Sequence, residues 1–275
     1  MASSTIIDLS WYQRLRIRSL LAKSLADRRL MTLLIGVGIG GMSFLVASMF
    51  PALESTLADL DLGPAFEAIF GAGGMSTPEG WMSAEMYTLL VPGALVALVI
   101  IDAGRSIAGE MESLSIGLLA SNPLSRTRIL VDKAIAVVLH MVGCALTIGV
   151  FTWAGVVVIG LDMDATHVWG ATIHTVGLGL MLSGAAVLFS VVIGRRVPAM
   201  IVVGSLAFVA YMVAVLFAVS EDLAGWAKIS PWHYYWADNP LLAGVDWTDV
   251  AVMAAIGGLL FLLAVPVFNR KDLRA

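Results

Sequence analysis

The side chains that could carry metal or acid–base chemistry are few and widely spaced in this chain. Its four histidines are His140, His167, His174 and His233, and its one cysteine is Cys144. Histidines that bind zinc from one helix face lie four residues apart, whereas His167 and His174 lie seven apart. We therefore expect structural histidines, no metal centre and no disulfide framework.

A histidine beside a serine could instead activate a nucleophile for proteolysis. Ser183, which precedes Gly184, could be paired with His140 or His174, although serine is also common where membrane helices pack closely. Nucleotide hydrolysis by the usual phosphate loop is excluded, because the chain has no Gly-x-x-x-x-Gly-Lys-Ser/Thr motif. The sequence therefore favours a protein that is not an enzyme and binds no cofactor of its own.

The elements that must position these side chains are long apolar runs. Hydrophobic residues make up 59% of the chain and charged residues 13%, against about 45–50% and about 25% in soluble domains. Short alternating segments of a membrane barrel are not seen. We predict a single all-α membrane domain, residues 1–275, with six spans over residues 31–50, 86–101, 134–160, 169–194, 198–219 and 250–268. Pro51 is expected to close the first span, and Pro92-Gly93 lies near the middle of the second.

The basic residues fix the expected orientation of these spans. Fifteen of the sixteen Lys and Arg residues fall on one side, and Lys228 alone falls on the other. Because basic residues concentrate in cytoplasmic loops, both termini are expected in the cytoplasm. The net charge of −4 argues against a nucleic-acid partner.

Two features bear on how such a protein would be driven. Residues 1–30 form either a basic helix on the anionic inner leaflet or an ordinary basic flank of the first span. Glu85 and Asp102 are expected near the two ends of the second span, and few other ionisable groups lie within the spans. Because ion-coupled transporters usually place such groups inside the bilayer, we expect any pumping to be energised by another protein.

The segment 102–132 between the second and third spans has its own helical pattern. Glu110, Leu114 and Leu118 are spaced four residues apart, and Pro123 should end that helix. Ser125 can then cap the helix that enters the third span. This piece either docks on another protein or rests on the membrane surface.

The same segment resembles the cytoplasmic loop of ABC-2 type transporter permeases, the membrane subunits of many bacterial ATP-binding-cassette exporters. The matching features are Glu110 and Glu112, Leu118-Leu119-Ala120, Pro123-Leu124-Ser125-Arg126 and Lys133. Looser matches are Thr77-Pro78-Glu79-Gly80-Trp81, Pro92-Gly93 and the ending Phe268-Asn269-Arg270-Lys271-Asp272-Leu273. Glu112-Ser113-Leu114 departs from the Gly-Thr-Leu step of that family.

The resemblance implies a permease that works as a pair, with itself or a sister chain, on two copies of a separate ATPase that binds ATP and Mg. Its coupling residues would be Glu110, Glu112, Leu114, Leu118, Pro123, Ser125 and Arg126. The cargo, a drug, antibiotic, lipid or peptide of hydrophobic or amphiphilic character, would leave along spans one, two and five. The expected location is the cell membrane of a bacterium or archaeon, in contact with its lipids.

The outer loop 220–249 is rich in aromatic residues. Its densest part is Trp232, His233, Tyr234, Tyr235 and Trp236. Aromatic residues favour the membrane interface, so this stretch is either an aromatic belt on a short interfacial helix or an outer gate for cargo. Two other functions stay open: a membrane-embedded enzyme acting on lipid or protein, and an ATP-independent channel or anchor.

Overall fold

The computed structural model describes residues 20–58, 74–115, 125–218, 223–236 and 238–271. Within these ranges the chain is helical and has no strand. Six of its helices are long and apolar enough to cross a membrane. The predictions of an all-helical fold and of six candidate spans are therefore confirmed.

The helices follow one another with short connections. In chain order they are α1 (Leu20–Ala58), α2 (Pro78–Glu112), α3 (Arg126–Ile159), α4 (Ala165–Ile193), α5 (Arg196–Ala218), α6 (Pro231–Trp236), α7 (Pro240–Ala243) and α8 (Trp247–Arg270). Short 3-10 turns, Gly74–Ser76 and Ala224–Ile229, precede α2 and α6. The six candidate spans are α1 to α5 and α8.

Pro51 lies inside α1, so the prediction that the first helix ends there is wrong. Proline lacks an N–H group, but membrane helices tolerate it because neighbouring helices and local adjustments satisfy the freed backbone. Here α2 packs closely on this part of α1. The indole of Trp81 donates a hydrogen bond of 2.9 Å to the carbonyl of Val46, five residues before the proline.

Helix α2 is interrupted twice along its length. Residues Ser83–Tyr87 and Gly104–Ala108 form π-helical turns, and the chain turns at 88–89 before the helix resumes at Leu90. Pro92 explains that break, because it has no N–H to donate to the carbonyl four residues earlier. After the second π turn, α2 continues to Glu112 and therefore includes the beginning of the segment 102–132 that we predicted as a cytoplasmic loop.

Helix α4 lies at the centre of the bundle and packs against α2, α3, α5 and α8. Its closest neighbour is α8, where a Cβ atom added to Gly257 would lie 2.5 Å from the carbonyl oxygen of Leu180. Small residues let membrane helices approach to this distance. Helix α1 packs along α3, and α5 is the least buried of the six.

Candidate functional site

Two opposite ends of the bundle carry the polar contacts. At the end called here the basic end, the start of α1, the end of α2, the start of α3, the start of α5 and the end of α8 meet. At the other, called the aromatic end, α6 and α7 cover α2 and α4. The coupling residues that the structure describes belong to the basic end, and the candidate gate belongs to the aromatic end.

Glu110 forms an ion pair that joins α2 to α3. The Nζ atom of Lys133 lies 2.6 Å from the Oε1 atom of Glu110. The side chain of Lys133 is 3% exposed and that of Glu110 is 29% exposed, so the ammonium group is the buried partner. A buried charge needs a partner, and the carboxylate supplies it.

Glu112 joins α2 to α5. Its Oε2 atom accepts a 2.9 Å hydrogen bond from the backbone N–H of Arg196, the first residue of α5. A carboxylate is stabilising there, because the N-terminal turn of a helix has free N–H groups. The two glutamates at the end of α2 therefore hold two different spans.

The end of α8 is fastened to the same region. The guanidinium of Arg126, at the start of α3, donates a 2.7 Å hydrogen bond to the carbonyl of Lys271. The ammonium of Lys271 in turn donates to the carbonyl of Val192 near the end of α4, at 2.7 Å. Arg126 thus bonds within this chain, to Lys271, the last residue that the structure describes.

Two further coupling residues flank the gap at 116–124. Leu114 is 47% exposed and has a φ of +59°, so the chain turns sharply away from α2 at this residue. The hydroxyl of Ser125 accepts a hydrogen bond from the N–H of Arg128, which confirms the predicted cap of α3. Leu118 and Pro123 lie outside the described residues.

A second polar cluster at the basic end lies deeper in the bundle. The carboxylate of Asp102 is fully buried, and Arg28 of α1 and His140 of α3 both contact it. The Nδ1 atom of His140 lies 2.7 Å from the Oδ2 atom of Asp102, and the Nε2 atom of His140 lies 3.2 Å from the carbonyl oxygen of Leu25. This cluster ties three spans together through three side chains and the backbone carbonyl of Leu25.

Sequence reasoning placed Asp102 near the end of a span and did not find this cluster. The three side chains are 38 to 112 positions apart in the chain, and no spacing rule joins them. One signal was present in the sequence. Asp102 and His140 are ionisable residues in apolar runs, and such residues within spans usually face a partner.

At the aromatic end, the segment predicted as a belt or gate packs inward at three positions. Tyr235 is fully buried and its hydroxyl donates a 2.9 Å hydrogen bond to the carbonyl of Tyr87, at the break in α2. Trp236 stacks on the ring of Tyr87 with the ring centres 5.7 Å apart. Trp232 is 7% exposed and meets Tyr211 of α5 edge to face.

The other two members of this segment are less buried. His233 and Tyr234 are half-buried, and their rings contact each other. The Nδ1 atom of His174 lies 3.2 Å from the backbone carbonyl of Tyr234, and the N–H of Asp246 donates to the Nε2 atom of His174 at 3.0 Å. His174 therefore connects α4 with α6 and with the start of α8, which is a structural role.

The serine–histidine pair considered for proteolysis does not form. The hydroxyl of Ser183 donates to the carbonyl of Gly179 in its own helix, while His140 and His174 bind the groups described above. Within the ranges that the structure describes, no three His, Cys, Asp or Glu side chains are grouped as a metal site would require.

No family model matches this chain, and no curated protein matches it. What can be said of function therefore rests on the residues and on their contacts. Those contacts converge at the basic end, where three carboxylates of one broken helix hold its neighbours: Glu110 binds α3, Glu112 binds α5 and Asp102 binds α1 and α3.

Proposed function

We propose that this chain is the membrane subunit of an ATP-driven exporter of the ABC-2 type, with its basic end in the cytoplasm. The motifs around Glu110 and Pro123 resemble those of such permeases, and the described six helices fit their architecture. In this proposal a separate ATPase, present in two copies, binds ATP and Mg and docks at the basic end.

The observation that carries the proposal is the attachment of the end of α2. Glu110 binds Lys133 of α3 and Glu112 binds the first N–H of α5, and both lie within five residues of the exposed Leu114. A force applied to the segment after Leu114 would therefore reach three spans at once. Coupling by a docking segment needs this mechanical link, whereas a segment that merely rests on a membrane does not.

In this proposal the seven coupling residues divide into two groups. Leu114, Leu118 and Pro123 provide the surface for the ATPase, with Leu114 exposed in the described part. Glu110, Glu112, Ser125 and Arg126 hold the flanking helices, as their bonds within the chain indicate. The glutamates thus transmit movement rather than contact the partner.

The proposed unit contains a second permease chain, identical or sister, in the cell membrane of a bacterium or archaeon. The cargo we propose is hydrophobic or amphiphilic, because the spans carry few charges. It would leave along α1, α2 and α5, past the aromatic end. There Tyr235 donates to the carbonyl of Tyr87 at the break in α2, and Trp232 packs against Tyr211 of α5.

The experiment that tests this function is purification of the full chain from its native membrane in mild detergent. We expect an ATPase subunit to co-purify in a 1:1 ratio and to hydrolyse ATP. A chain that purifies without any ATPase, in several detergents, would overturn the proposal and favour the enzyme, channel or anchor.

A variant then tests the coupling role. Glu112→Gln keeps the size of the side chain but weakens its bond to the start of α5, so we expect the ATPase to stay bound while transport per ATP falls several-fold. Glu79→Gln, at the opposite end of α2, is the matched control and should leave transport unchanged. Equal transport in both variants would contradict the role given to Glu112.

A further inference from the structure

The cluster of Arg28, Asp102 and His140 has no part in the proposed function and raises a separate question about protons. Asp102 is fully buried, and His140 is 5% exposed. The side chain of Arg28 is 14% exposed. Water therefore does not supply the hydrogen-bond partners of Asp102 and His140, and the contacts within the cluster must satisfy their polar atoms.

Both ring nitrogens of His140 face hydrogen-bond acceptors. The Nε2 atom lies 3.2 Å from the carbonyl of Leu25, which can only accept, so a hydrogen bond there requires a hydrogen on Nε2. The Nδ1 atom faces the Oδ2 atom of Asp102 at 2.7 Å, while the Oδ1 atom already accepts from Arg28. A neutral ring has one hydrogen for these two acceptors, so making both contacts hydrogen bonds requires one more proton, either on the ring or on the carboxyl group.

His174 shows that this arrangement is not a general property of buried histidines here. Its Nε2 atom accepts from the N–H of Asp246, and its Nδ1 atom faces the carbonyl of Tyr234. One hydrogen, on Nδ1, satisfies both contacts. A neutral His174 ring satisfies both of its hydrogen-bond contacts. The two contacts of His140 are both satisfied only when the pair with Asp102 holds an additional proton.

The charges around this pair oppose that proton. Arg28 of α1 is positive and contacts Asp102, while Glu110 and Lys133 at the same end pair with each other. The described part of α4 has no ionisable side chain at this end. The guanidinium therefore opposes a further proton, but without that proton one ring nitrogen of His140 sets its lone pair against an acceptor oxygen, which is the larger penalty in a dry site.

We propose that Asp102 and His140 together bind one exchangeable proton, and that this proton holds the start of α1 against α2 and α3. When the proton leaves, the ring has one hydrogen for two acceptors, and one of its two bonds, to Asp102 or to Leu25, is lost. The site is thus a proton-binding clamp at the basic end. It does not depend on whether an ATPase drives the protein.

The proton can be observed directly in the full-length protein. In nitrogen-15 histidine-labelled protein at neutral pH, we expect His140 to show two ring N–H signals and His174 to show one. If the proton lies on the carboxyl group instead, His140 shows a single N–H on Nε2, and an infrared carbonyl band of a protonated acid disappears in Asp102→Asn. Either result supports the site, and a neutral ring beside an ionised Asp102 overturns it.

Asp102→Asn also tests the clamp. The amide can donate to the Nδ1 atom of a neutral ring and still accept from Arg28, so every contact is kept without the extra proton. We therefore expect His140 in Asp102→Asn to show a single ring N–H signal, on Nε2. Two ring N–H signals for His140 in that variant would overturn the proposal, because the proton would then not depend on Asp102.

Signal assignment must not depend on one variant. His140→Gln identifies the signals of His140 if that protein folds. If it does not fold, single replacements of the partly exposed His167 and His233, and of His174, identify the others and leave His140 by elimination.

Discussion

At the scale of single residues, the buried ion pair of Glu110 and Lys133 is the contact whose loss should lower the free energy of unfolding most. Lys133 is 2% exposed as a residue, so its ammonium group depends on Glu110 for compensation. Glu112 is exposed and accepts one backbone hydrogen bond. Removing Glu110 leaves a buried ammonium group without its partner, whereas removing Glu112 leaves one backbone N–H without its acceptor.

We predict that Glu110→Ala lowers the free energy of unfolding by about 3–5 kcal/mol, because it leaves a buried charge unpaired. Glu112→Ala should cost about 0.5–1.5 kcal/mol, the value of one hydrogen bond. Denaturant unfolding of the detergent-solubilised protein measures both. Adding Lys133→Met to Glu110→Ala should restore most of the loss, since the unpaired charge is then gone. Equal costs for the two glutamates would contradict this reading of the pair.

At the scale of elements, the contact between α4 and α8 depends on glycines that face each other. A Cβ atom at Gly184 would collide with the backbone carbonyl of Gly257, and one at Gly257 would collide with the backbone of Leu180. Gly258, the next residue, has open space where its Cβ would be. Backbone atoms cannot turn aside as a flexible side chain can, so the two helices would have to separate.

We predict that Gly257→Ala destabilises the bundle and lowers its unfolding temperature by several degrees. Gly258→Ala is the matched control and should be neutral or slightly stabilising, because alanine is the better helix former by about 1 kcal/mol. Thermal unfolding of the two purified variants makes the comparison. A Gly257→Ala protein as stable as Gly258→Ala would show that α4 and α8 do not approach as closely as described.

The start of α8 is sensitive to acid. The carboxylate of Asp246 accepts hydrogen bonds from the N–H groups of Thr248 and Asp249, at 2.7 and 3.3 Å. These bonds lower the pKa of Asp246 below its ordinary value. Because the folded pKa is depressed, the cap stabilises α8 above the ordinary pKa of aspartate, and this contribution is lost as pH falls through the lowered value.

We predict that amide hydrogen exchange at residues 248 and 249, corrected for the intrinsic rate, speeds up as the solution is acidified below about pH 4. Asp246→Asn keeps a side-chain acceptor at the cap but cannot be protonated in this range. Its exchange should therefore be less dependent on pH. The idea fails if the two proteins respond to acid equally.

At the scale of the whole molecule, the distribution of basic residues predicts an orientation that chemical labelling can test. Arg195 is exposed at the basic end and Gly225 is exposed at the aromatic end. The one native cysteine, Cys144, is fully buried and should not react in the folded chain. A single added cysteine can therefore report which side of the membrane it occupies.

We predict that Gly225→Cys reacts with a membrane-impermeant maleimide in intact cells, and that Arg195→Cys reacts only after the cells are opened. The unaltered chain is the control for background labelling of Cys144. The opposite pattern would place the basic end outside, and labelling of both positions in intact cells would contradict a six-span topology.

The sequence by itself determined the number of candidate spans and the approximate position of each. Apolar length is a property of one segment, so the runs could be found without knowing their neighbours. The cap of α3 at Ser125 was equally local and was predicted correctly. The end of α1 was predicted wrongly, because whether a helix continues through Pro51 depends on what surrounds it.

Only the tertiary structure decided which polar groups meet. The pairing of Asp102 with Arg28 and His140 depends on how three helices are rotated about their axes, and apolar spans leave that rotation unspecified in the sequence. The inward packing of Tyr235 and the approach of Gly257 to Leu180 were set in the same way. Membrane burial fixes where a helix lies, and side-chain packing and hydrogen bonds between helices fix the direction in which it faces.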